Sequence, residues 1–501
     1  MKPRLILRAD GNPQVGLGHV MRCQALAEIA ATDFGCLFVA RPGLPPTTIA
    51  ELTATGIELL EVPNAASAAR EADWLATHLL RPTDVVVLDG YQFDYAYQQA
   101  IRAACGALLY IDDLAAFPQA ADVVLNPAGG VDAVEYDLRQ PGARLLTGPT
   151  WAPLRRPFRV AAGQERQAAP AGDVVLCLGG ADPANHTQRW AAELLSAEGL
   201  GHLHVVVGGA YQHWEALTAW ADTRRASKLS VHRALAADSF AELLARCGTA
   251  VTSASTVSYE YASLGGLLLA VQTADNQQRI HDFLLREQLA ASAADAVRLL
   301  GSPKREHLQT AMRRTQRQWF DGAAPARLQR LLLRLSAQSR LSLRPVEAAD
   351  SGHLFDWAND PVTRQFSYSP APIERANHEK WLTARLSDPA HLLLIASVGE
   401  TPAGTIRFAL DADGAALLSF AIAPECRGLG LSAPLLRAGA ARAVAQWPTL
   451  QGVVGHVLLA NAASLAAFRR SGFREVHRPD TPASSVSFEY RPATHGGPIH
   501  A

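Results

Sequence analysis

The chain has 501 residues, of which 49% are apolar and 19% are charged, and its formal net charge is −1. This length exceeds what one hydrophobic core serves, so we expect about three well-packed domains rather than disorder. The charge balance excludes nucleic acid as the main partner, and the longest apolar runs are too short to cross a membrane.

The six cysteines are scattered along the chain without a C-x-x-C pair. This usage predicts a reducing compartment with neither a disulfide framework nor a zinc site. The first ten residues lack the long apolar core and the small-residue cleavage site of a signal peptide. We therefore expect a soluble, cytoplasmic protein.

A glycine-rich turn follows the first strand-like run, Leu5–Leu7, and precedes a helical pattern over 23–30. The turn and its flanks, residues 8–22, read RADGNPQVGLGHVMR. Strand, glycine turn and helix form the usual layout of a phosphate or nucleotide-sugar site in an open α/β sheet. Gly16 and Gly18 allow the backbone to turn tightly and to approach a ligand.

His19 is predicted to lie on the first turn of that helix, at the carboxyl end of the first strand. Ligands of open α/β sheets bind at this edge, and an imidazole there can take a proton from water near neutral pH. The alternative is that His19 only caps the turn or contacts phosphate.

Apolar runs alternating with helical patterns up to about residue 150 predict parallel strands that are buried on both faces. The runs after the first cover residues 35–40, 56–60, 84–88, 107–111 and 122–125. Polar residues follow the last three runs directly, namely Asp89, Tyr91, Asp112, Asp113 and Asn126. These side chains are expected at the same edge as His19, although helix capping or loop bracing is the alternative for each aspartate.

Residues 151–173 are polar and contain prolines, and we interpret them as the crossover to a second lobe. A second α/β pattern follows, with apolar runs over 174–178, 203–207, 249–252 and 267–271. The first of these runs leads into Gly179 and Gly180, a glycine turn at a predicted helix start.

The segment SASTVSYEYASLGG, residues 253–266, is a second candidate phosphate site. Ser253, Ser255 and Thr256 would present hydroxyl and amide groups to a diphosphate at a helix start. Glu260, one turn later, could accept hydrogen bonds from both ribose hydroxyls. The alternative is a helix cap followed by a solvated glutamate.

Taken in order, these motifs resemble one family, the UDP-sugar hydrolase of pseudaminic acid biosynthesis. They are the 8–22 turn, Asp89-Gly-Tyr91, Asp112-Asp-Leu114, Leu125-Asn-Pro127, LGGADP at 178–183, the 253–265 segment and Ala274-Asp-Asn-Gln277. The resemblance covers residues 4 to about 300. It implies hydrolysis of UDP-2,4-diacetamido-2,4,6-trideoxy-β-L-altropyranose on a two-lobed fold of the GT-B type.

The resemblance also implies roles for individual residues. His19 would activate the water that attacks the anomeric carbon, while Tyr91 and Asn276 would position the sugar or the water. Glu260 would hold the ribose. The UDP leaving group would meet backbone amides after Gly179 and Gly180 and around 253–256, and Gln277 is placed in the same site. Ala254 stands where the family usually has glycine, which is tolerated unless that residue needs a positive φ.

Residues 301–340 are arginine-rich and helical in period. We favour a closing helix with a solvated basic face over a helix that lies on a membrane surface.

A third domain is predicted over residues 341–491. Strand-like runs cover 392–398, 402–408 and 417–422, and the last leads into the turn Arg427-Gly-Leu-Gly-Leu-Ser432. Such a turn at a helix start aims amide groups at a pyrophosphate. With Asn461-Ala-Ala-Ser464 and Phe468-Arg-Arg-Ser-Gly-Phe473, it resembles the GNAT superfamily of N-acetyltransferases.

This second resemblance implies acetyl-CoA as cosubstrate. Its predicted contacts are Ile422, Arg427, Gly428, Leu429, Gly430, Leu431, Ser432, Asn461 and Ser464. Many members carry a tyrosine at the position of Phe468 to protonate the leaving thiolate, which phenylalanine cannot do. Another group, such as Ser464, Cys426 or a water, then serves, or proximity suffices, or the domain only binds its ligand.

The predicted fold class is therefore α/β: two Rossmann-like lobes, 1–155 and 156–335, followed by a GNAT α+β domain at 341–491 and a tail at 492–501. The predicted function is bifunctional, acetylating the 4-amino group of a UDP-sugar and then hydrolysing the product. We predict no metal. The alternative is a two-lobed glycosyltransferase that uses an acceptor other than water, with a tail domain that binds CoA or acetylates another amine.

Overall fold

In a computed structural model of the chain, the structure describes residues 2–11, 16–63, 67–164, 172–224 and 228–492. Part of the first glycine turn (12–15), part of the predicted crossover (165–171) and all but the first residue of the predicted tail lie outside the described residues. The chain divides into two compact units, residues 1–332 and 333–501.

The first unit begins with a parallel sheet in the order β3-β2-β1-β4-β5-β6-β7. Its strands are β1 (Arg4–Ala9), β2 (Gly35–Ala40), β3 (Glu58–Glu61), β4 (Val85–Asp89), β5 (Ala107–Ile111), β6 (Val123–Asn126) and β7 (Arg144–Thr147). Its longer helices are α1 (Gly18–Ala30), α2 (Pro46–Ala54), α3 (Ala68–His78) and α4 (Tyr95–Ala104). The strand order reverses between β1 and β4, and ligands bind at such a switch point in open sheets.

A second parallel sheet in the same unit has the order β10-β9-β8-β11-β12-β13. Its strands are β8 (Val174–Cys177), β9 (Leu203–Val207), β10 (Leu229–Arg233), β11 (Thr249–Ser253), β12 (Leu267–Val271) and β13 (Ala291–Ser292). The helices of this part are α5 (Arg156–Ala162), α6 (His186–Leu194), α7 (Trp214–Asp222), α8 (Ala237–Arg246), α9 (Thr256–Leu264), α10 (Gln278–Arg286), α11 (Ala296–Leu300) and α12 (Arg305–Trp319). Here the order reverses between β8 and β11.

The predicted crossover contains a helix, α5, that packs on the second sheet's core. Phe158 is fully buried there, with its ring 5.9 Å from that of Phe240 on α8. The crossover interpretation gave no helix here, and the buried Phe158 side chain secures one.

The arginine-rich stretch forms α12 and α13 (Ala324–Ser339), and the boundary between the two units falls within α13. On α12, Gln316 is fully buried, and its amide group bonds both backbone atoms of Gly266, at 3.0 and 3.1 Å. The same amide donates to the carbonyl oxygen of Leu289 at 2.8 Å. This polar anchor holds α12 against β12, as expected of a closing helix.

The second unit is built on one mixed sheet in the order β14-β15-β16-β17-β18-β20-β19. Its strands are β14 (Leu341–Pro345), β15 (His391–Val398), β16 (Thr401–Leu410), β17 (Ala415–Ile422), β18 (Gly452–Leu458), β19 (Arg474–Val476) and β20 (Ser485–Tyr490). Its helices are α14 (Ser351–Asn359), α15 (Pro361–Gln365), α16 (Arg375–Leu386), α17 (Ser432–Gln446) and α18 (Ala462–Arg470). Two parallel Rossmann-like sheets followed by a mixed sheet confirm the predicted fold class.

Candidate functional site

The first switch point brings together residues that are far apart in the chain. His19 begins α1 directly after β1, and Asp89 is the last residue of the neighbouring strand β4. Asp89 is fully buried and His19 is 6% exposed. The Nδ1 atom of His19 lies 2.6 Å from Oδ1 of Asp89.

Arg22 completes this arrangement from one turn further along α1. Its Nε and Nη2 atoms donate to the two Asp89 oxygens at 2.9 and 2.7 Å, and its Nη1 donates to Asp113 at 3.2 Å. Burial alone would raise the pKa of Asp89, but Arg22 and His19 hold that pKa below its usual range. Asp89 is therefore a carboxylate at neutral pH.

An ionised Asp89 determines which His19 nitrogen carries hydrogen. A carboxylate only accepts hydrogen bonds, so Nδ1 of His19 must donate to it. The guanidinium of Arg22 also lies 2.9 Å from Nδ1, but it can only donate, and Asp89 satisfies it. In the neutral imidazole, Nε2 then keeps the lone pair and can accept a proton from water.

Tyr91 and Asn276 lie beside this group, one from each half of the unit. The Tyr91 ring packs edge-on against His19, with centroids 4.8 Å apart. The Tyr91 hydroxyl lies 3.4 Å from an Asp113 oxygen and 3.4 Å from Nδ2 of Asn276. Burial and the nearby Asp113 raise the pKa of Tyr91 to about 12, so this phenol remains protonated. The three residues predicted as catalytic therefore lie together, and their roles stay predictions.

The second switch point carries the predicted phosphate turns. Gly179 follows β8 with φ +99°, a conformation that favours glycine. Gly180 approaches Gly208 so closely that a Cβ on Gly208 would meet Gly180 backbone atoms at 2.5–2.9 Å. The neighbouring β11 ends at Ser253, whose hydroxyl lies 3.0 Å from that of Ser255.

Thr256 opens α9, and serines on both sides of it brace the start of that helix. The Ser258 hydroxyl accepts from the amide of Ser255 at 3.1 Å and donates to the carbonyl oxygens of Ser253 and Ser255. Capping and a phosphate role are compatible because a helix start offers several amides. Ala254 does not have a positive φ, so alanine is unstrained there.

Glu260 is 3% exposed and is paired with Arg155, so the expectation of a solvated glutamate as the alternative is wrong. The guanidinium of Arg155 donates to both carboxylate oxygens, at 2.7 and 3.0 Å, and stacks over the Phe158 ring at 4.8 Å. Burial opposes the charge on Arg155, but Glu260 keeps the pKa of Arg155 above its usual range. The ribose role of Glu260 stays a prediction, with Arg155 holding its carboxylate in place.

The remaining predicted residues of the first unit occupy different settings. Gly16 has φ +81°, whereas Gly18 begins α1 without a positive φ, and a Cβ on either would meet open space. Gln277 turns its amide oxygen to Thr273, accepting from the backbone amide at 2.9 Å and from the hydroxyl at 3.1 Å. Open space at both glycines leaves room for a ligand, while Gln277 braces its own loop.

A small cleft lies between residues of the two sheets of this unit. Arg22 and Asp113 line it on one side, and Thr256 and Tyr259 line it on the other. The cleft therefore borders Arg22, the partner of Asp89, and the start of α9.

In the second unit, β17 and β18 pair side by side only over a short distance. The parallel register joins Ala415 to Gly452 and ends at Leu417 opposite Val454. Ile422, at the far end of β17, precedes the turn into α17, in which Gly428 and Gly430 have φ +84° and +70°. The open gap between the two strands and the start of α17 together form the predicted acetyl-CoA site.

The side chains of this predicted site are partly engaged within the protein. Arg427 pairs with Asp360 and donates to the Thr363 hydroxyl at 3.2 Å. The carbonyl oxygen of Gly430 accepts from Gln338 at 3.0 Å. Leu431 is 2% exposed and Leu429 packs on the same cluster, so these two could meet a ligand only through their backbone.

The motif at the start of α18 is mainly structural. The Asn461 side chain accepts from the backbone amide of Ser464 at 3.1 Å and caps the helix. Phe468 is 2% exposed and stacks on Phe488 at 5.0 Å, while a Cβ on Gly455 would meet its ring at 2.5 Å. Phe468 is thus a core residue.

Comparison with known proteins identifies the second unit. Residues 340–474 match the family model described as Acetyltransferase (GNAT) domain. The C-terminal unit contains a GNAT acetyltransferase domain. A spermidine N-acetyltransferase from Vibrio cholerae, solved in complex with CoA and spermine, is similar to the chain with 17% identity. That match covers 30% of this chain and 94% of that one, with a TM-score of 0.27.

Two curated relatives extend the comparison beyond the GNAT domain. An uncharacterised protein of Methanocaldococcus jannaschii is 20% identical over 392 residues, which are 76% of this chain and 78% of that protein. The UDP-2,4-diacetamido-2,4,6-trideoxy-β-L-altropyranose hydrolase of Campylobacter jejuni is 24% identical over 195 residues, 38% of this chain. The match spans 65% of that hydrolase. The chain thus combines a GNAT domain with a distant similarity to this hydrolase.

Sequence reasoning missed two arginines of the first unit. Arg22 lies three residues after His19 on α1, a spacing that places both on one helix face, so the signal was available. Arg155 is 105 residues from Glu260 in the chain, and no local pattern indicates that pairing.

Within the described ranges, no group of three or more His, Cys, Asp or Glu side chains is arranged to hold a metal ion. In the same part of the chain, none of the helices is long and apolar enough to cross a membrane.

Proposed function

We propose that the first unit hydrolyses a UDP-linked 2,4-diacetamido-2,4,6-trideoxy sugar, releasing UDP and the free sugar. The observation that carries this proposal is the His19–Asp89 pair at one switch point, whose partner Arg22 lines a cleft together with Thr256 at the start of α9. The similarity to the C. jejuni hydrolase supports the substrate class.

In this proposal, Nε2 of His19 takes a proton from water while the oxygen attacks the anomeric carbon. The bond from that carbon to the UDP oxygen breaks, and the leaving diphosphate gains charge. Backbone amides after Gly179 and at the start of α9 offset that charge. Asp89 keeps Nδ1 protonated and stabilises the imidazolium that forms.

In the same proposal, the GNAT domain carries out the step before hydrolysis: it acetylates the 4-amino group of the UDP-sugar with acetyl-CoA. Gly428 has a positive φ and a Cβ there would meet open space, so the turn before α17 leaves backbone accessible to a pyrophosphate at this residue. Two successive steps on one chain explain why these two units are joined.

Mass spectrometry tests both steps in one experiment. The UDP-linked 2-acetamido-4-amino-2,4,6-trideoxy altrose is incubated with acetyl-CoA and the full chain, its His19→Ala variant, or His78→Ala as an exposed control in the same lobe. We expect free diacetamido sugar and UDP from the chain and the control, and accumulation of the acetylated UDP-sugar with His19→Ala.

Three other results would contradict parts of the proposal. UDP release that requires an added acceptor would identify a glycosyltransferase. Hydrolysis of the pre-acetylated substrate without acetylation of the amine would refute the assigned role of the GNAT domain. Failure of both reactions would refute the assignment of this sugar as the substrate.

A further inference from the structure

Four polar side chains form a row across one face of the GNAT sheet, and none of them belongs to the predicted acetyl-CoA site. They are Arg407 on β16, Ser419 on β17, His456 on β18 and Ser487 on β20, and we call them the polar row. Arg407 is opposite Ser419, and its Nε donates to the Ser419 hydroxyl at 2.6 Å. His456 is opposite Ser487, with its Nδ1 atom 2.8 Å from the Ser487 hydroxyl.

Alternation along the strands places the row on a single face. Ile406, Leu418, Val457 and Phe488 enter the hydrophobic core beneath α17 and α18. Side chains alternate between the faces of a sheet, so their neighbours in the row point to the opposite face. The register of Leu417 with Val454 continues this face from β17 to β18.

The row straddles the gap where β17 and β18 separate. Ser419 lies two residues beyond the last paired residue of β17, and His456 lies two residues beyond the last paired residue of β18. A thioester held in the gap would therefore have Ser419 on one side and His456 on the other.

His456 is part of a short chain of hydroxyl groups. Ser487 is 1% exposed, and its hydroxyl lies 2.6 Å from that of Thr481. A hydroxyl can accept and donate at once, so Ser487 can accept Nδ1–H from His456 and donate to Thr481. That arrangement leaves the lone pair on Nε2. Burial lowers the pKa of His456, with Arg478 acting in the same direction and Asp480 opposing it.

Arg407 supplies positive charge at the other end of the row. Its guanidinium stacks over the Trp381 ring on α16 at 5.2 Å. Burial and the nearby positive charge of Arg364 lower the pKa of Arg407. Among the described residues, no carboxylate forms an ion pair with Arg407. A positively charged group without an acidic partner is suited to bind an anion.

We propose that the polar row is the acceptor site of the GNAT domain, in which His456 takes a proton from the substrate's ammonium group and Arg407 binds an anionic group on the same substrate. This inference rests on the proposed N-acetyl transfer and specifies its acceptor as an amino sugar that carries phosphate or diphosphate. Neighbouring strands lie about 4.8 Å apart, so Arg407 and His456 are separated by roughly 10 Å or more, enough for a sugar between amine and phosphate.

The transfer balances in three steps. Nε2 of His456 removes one proton from the ammonium, and the freed amine nitrogen attacks the thioester carbonyl carbon. The carbon–sulfur bond breaks, and the CoA thiolate takes the second proton from the nitrogen. The products are the amide, CoA thiol and a protonated His456, which returns its proton to water. Phe468 has no part in these proton transfers.

The test of His456 compares His456→Gln with His391→Gln, a histidine on β15 outside the row. Acetylation of the UDP-linked amino sugar is followed across pH, and acetyl-CoA binding is measured by calorimetry. We expect His456→Gln to lower kcat by about 100-fold or more, the scale of lost general-base catalysis, and to abolish the fall in kcat at acidic pH. Acetyl-CoA affinity should be unchanged in both variants.

The test of Arg407 uses two acceptors, the UDP-linked amino sugar and the methyl glycoside of the same sugar. We expect Arg407→Ala to raise KM about tenfold or more for the charged acceptor and to leave KM for the methyl glycoside unchanged. Arg437→Ala, a substitution on α17, is the control and should alter neither value.

Each contrary result refutes a stated part of the proposal. Unchanged kcat and an unchanged pH profile in His456→Gln would refute the base while leaving the proposed acetylation intact. Equal KM changes for both acceptors in Arg407→Ala would refute the anion contact. If the unaltered chain acetylates neither sugar while it binds acetyl-CoA, both the polar row as an amino-sugar site and the proposed acceptor are wrong.

Discussion

Replacing Asp89 by asparagine removes one charge from the centre of the first unit with almost no change in shape. Asp89 is fully buried and receives hydrogen bonds from His19 and from two nitrogens of Arg22. An asparagine can still accept one bond through its oxygen, but its NH₂ group would face a donor. Arg22, 12% exposed, would lose its main counter-charge.

Two magnitudes follow from this geometry. Removing one partner from a buried ion pair costs about 3–5 kcal/mol, so we expect the free energy of unfolding to fall by about that amount. The His19 tautomer would also lose its anchor, and hydrolysis should slow by about 10²- to 10⁴-fold. Asp113→Asn is the matched control. Asp113 is 21% exposed and bonds Arg22 at 3.2 Å, so its loss should cost less than about 1 kcal/mol.

Urea unfolding and steady-state UDP release measure the two effects separately. The pH dependence of stability gives a further test, because the shifted pKa of Asp89 fixes the direction of the change. Because the folded-state pKa of Asp89 is lowered, its stabilisation is complete above the ordinary carboxyl pKa and is lost as pH falls through the folded value. Asp89→Asn should therefore weaken the acid dependence of stability. Equal losses in Asp89→Asn and Asp113→Asn would refute the reasoning.

Three further predictions concern other parts of the chain. Arg155→Ala leaves the buried Glu260 carboxylate unpaired and should destabilise the first unit by about 3–5 kcal/mol in urea unfolding, whereas Arg156→Ala next to it should have little effect. Gly455→Ala places a Cβ 2.5 Å from the Phe468 ring and should lower the free energy of unfolding of the second unit by about 1–3 kcal/mol. Unchanged thermal unfolding of that unit would contradict this prediction. Burial and the neighbouring His202 and His232 lower the pKa of His204 to about 4, so stability should fall as pH drops from about 6.5 towards 4. His204→Gln should flatten that slope in a thermal-shift series, and an unchanged slope would contradict it.

The strands of the first unit could be predicted because parallel strands buried on both faces appear as continuous apolar runs. The run at 107–111 matches β5 residue for residue, and Asp89 closes β4 where a cleft residue was expected. In contrast, β10 (Leu229–Arg233) is an edge strand with half-buried polar side chains, so its sequence LSVHR carries no such run.

For the candidate sites too, residues placed by local sequence could be predicted, whereas those that depend on contacts between distant segments could not. His19 and Tyr91 could be placed together because strand-end residues share one edge of a sheet. Asn276 follows a strand of the second sheet, and only the family resemblance predicted it in the same site. The Arg155–Glu260 pair and the polar row could not be predicted, since both depend on contacts between distant segments. His456 in particular gains its significance only from the register of β18 with β20 and from the separation of β18 from β17.

The early separation of β17 and β18 leaves two strand edges facing each other inside one sheet. Strand edges carry amide and carbonyl groups in alternation, and an occupant made only of hydrocarbon would leave those groups unsatisfied. The gap therefore favours an extended guest with amide groups of its own, which can act as a partial strand between β17 and β18. Binding of such a guest should slow hydrogen exchange at residues 418–422 more than at the paired residues 415–417.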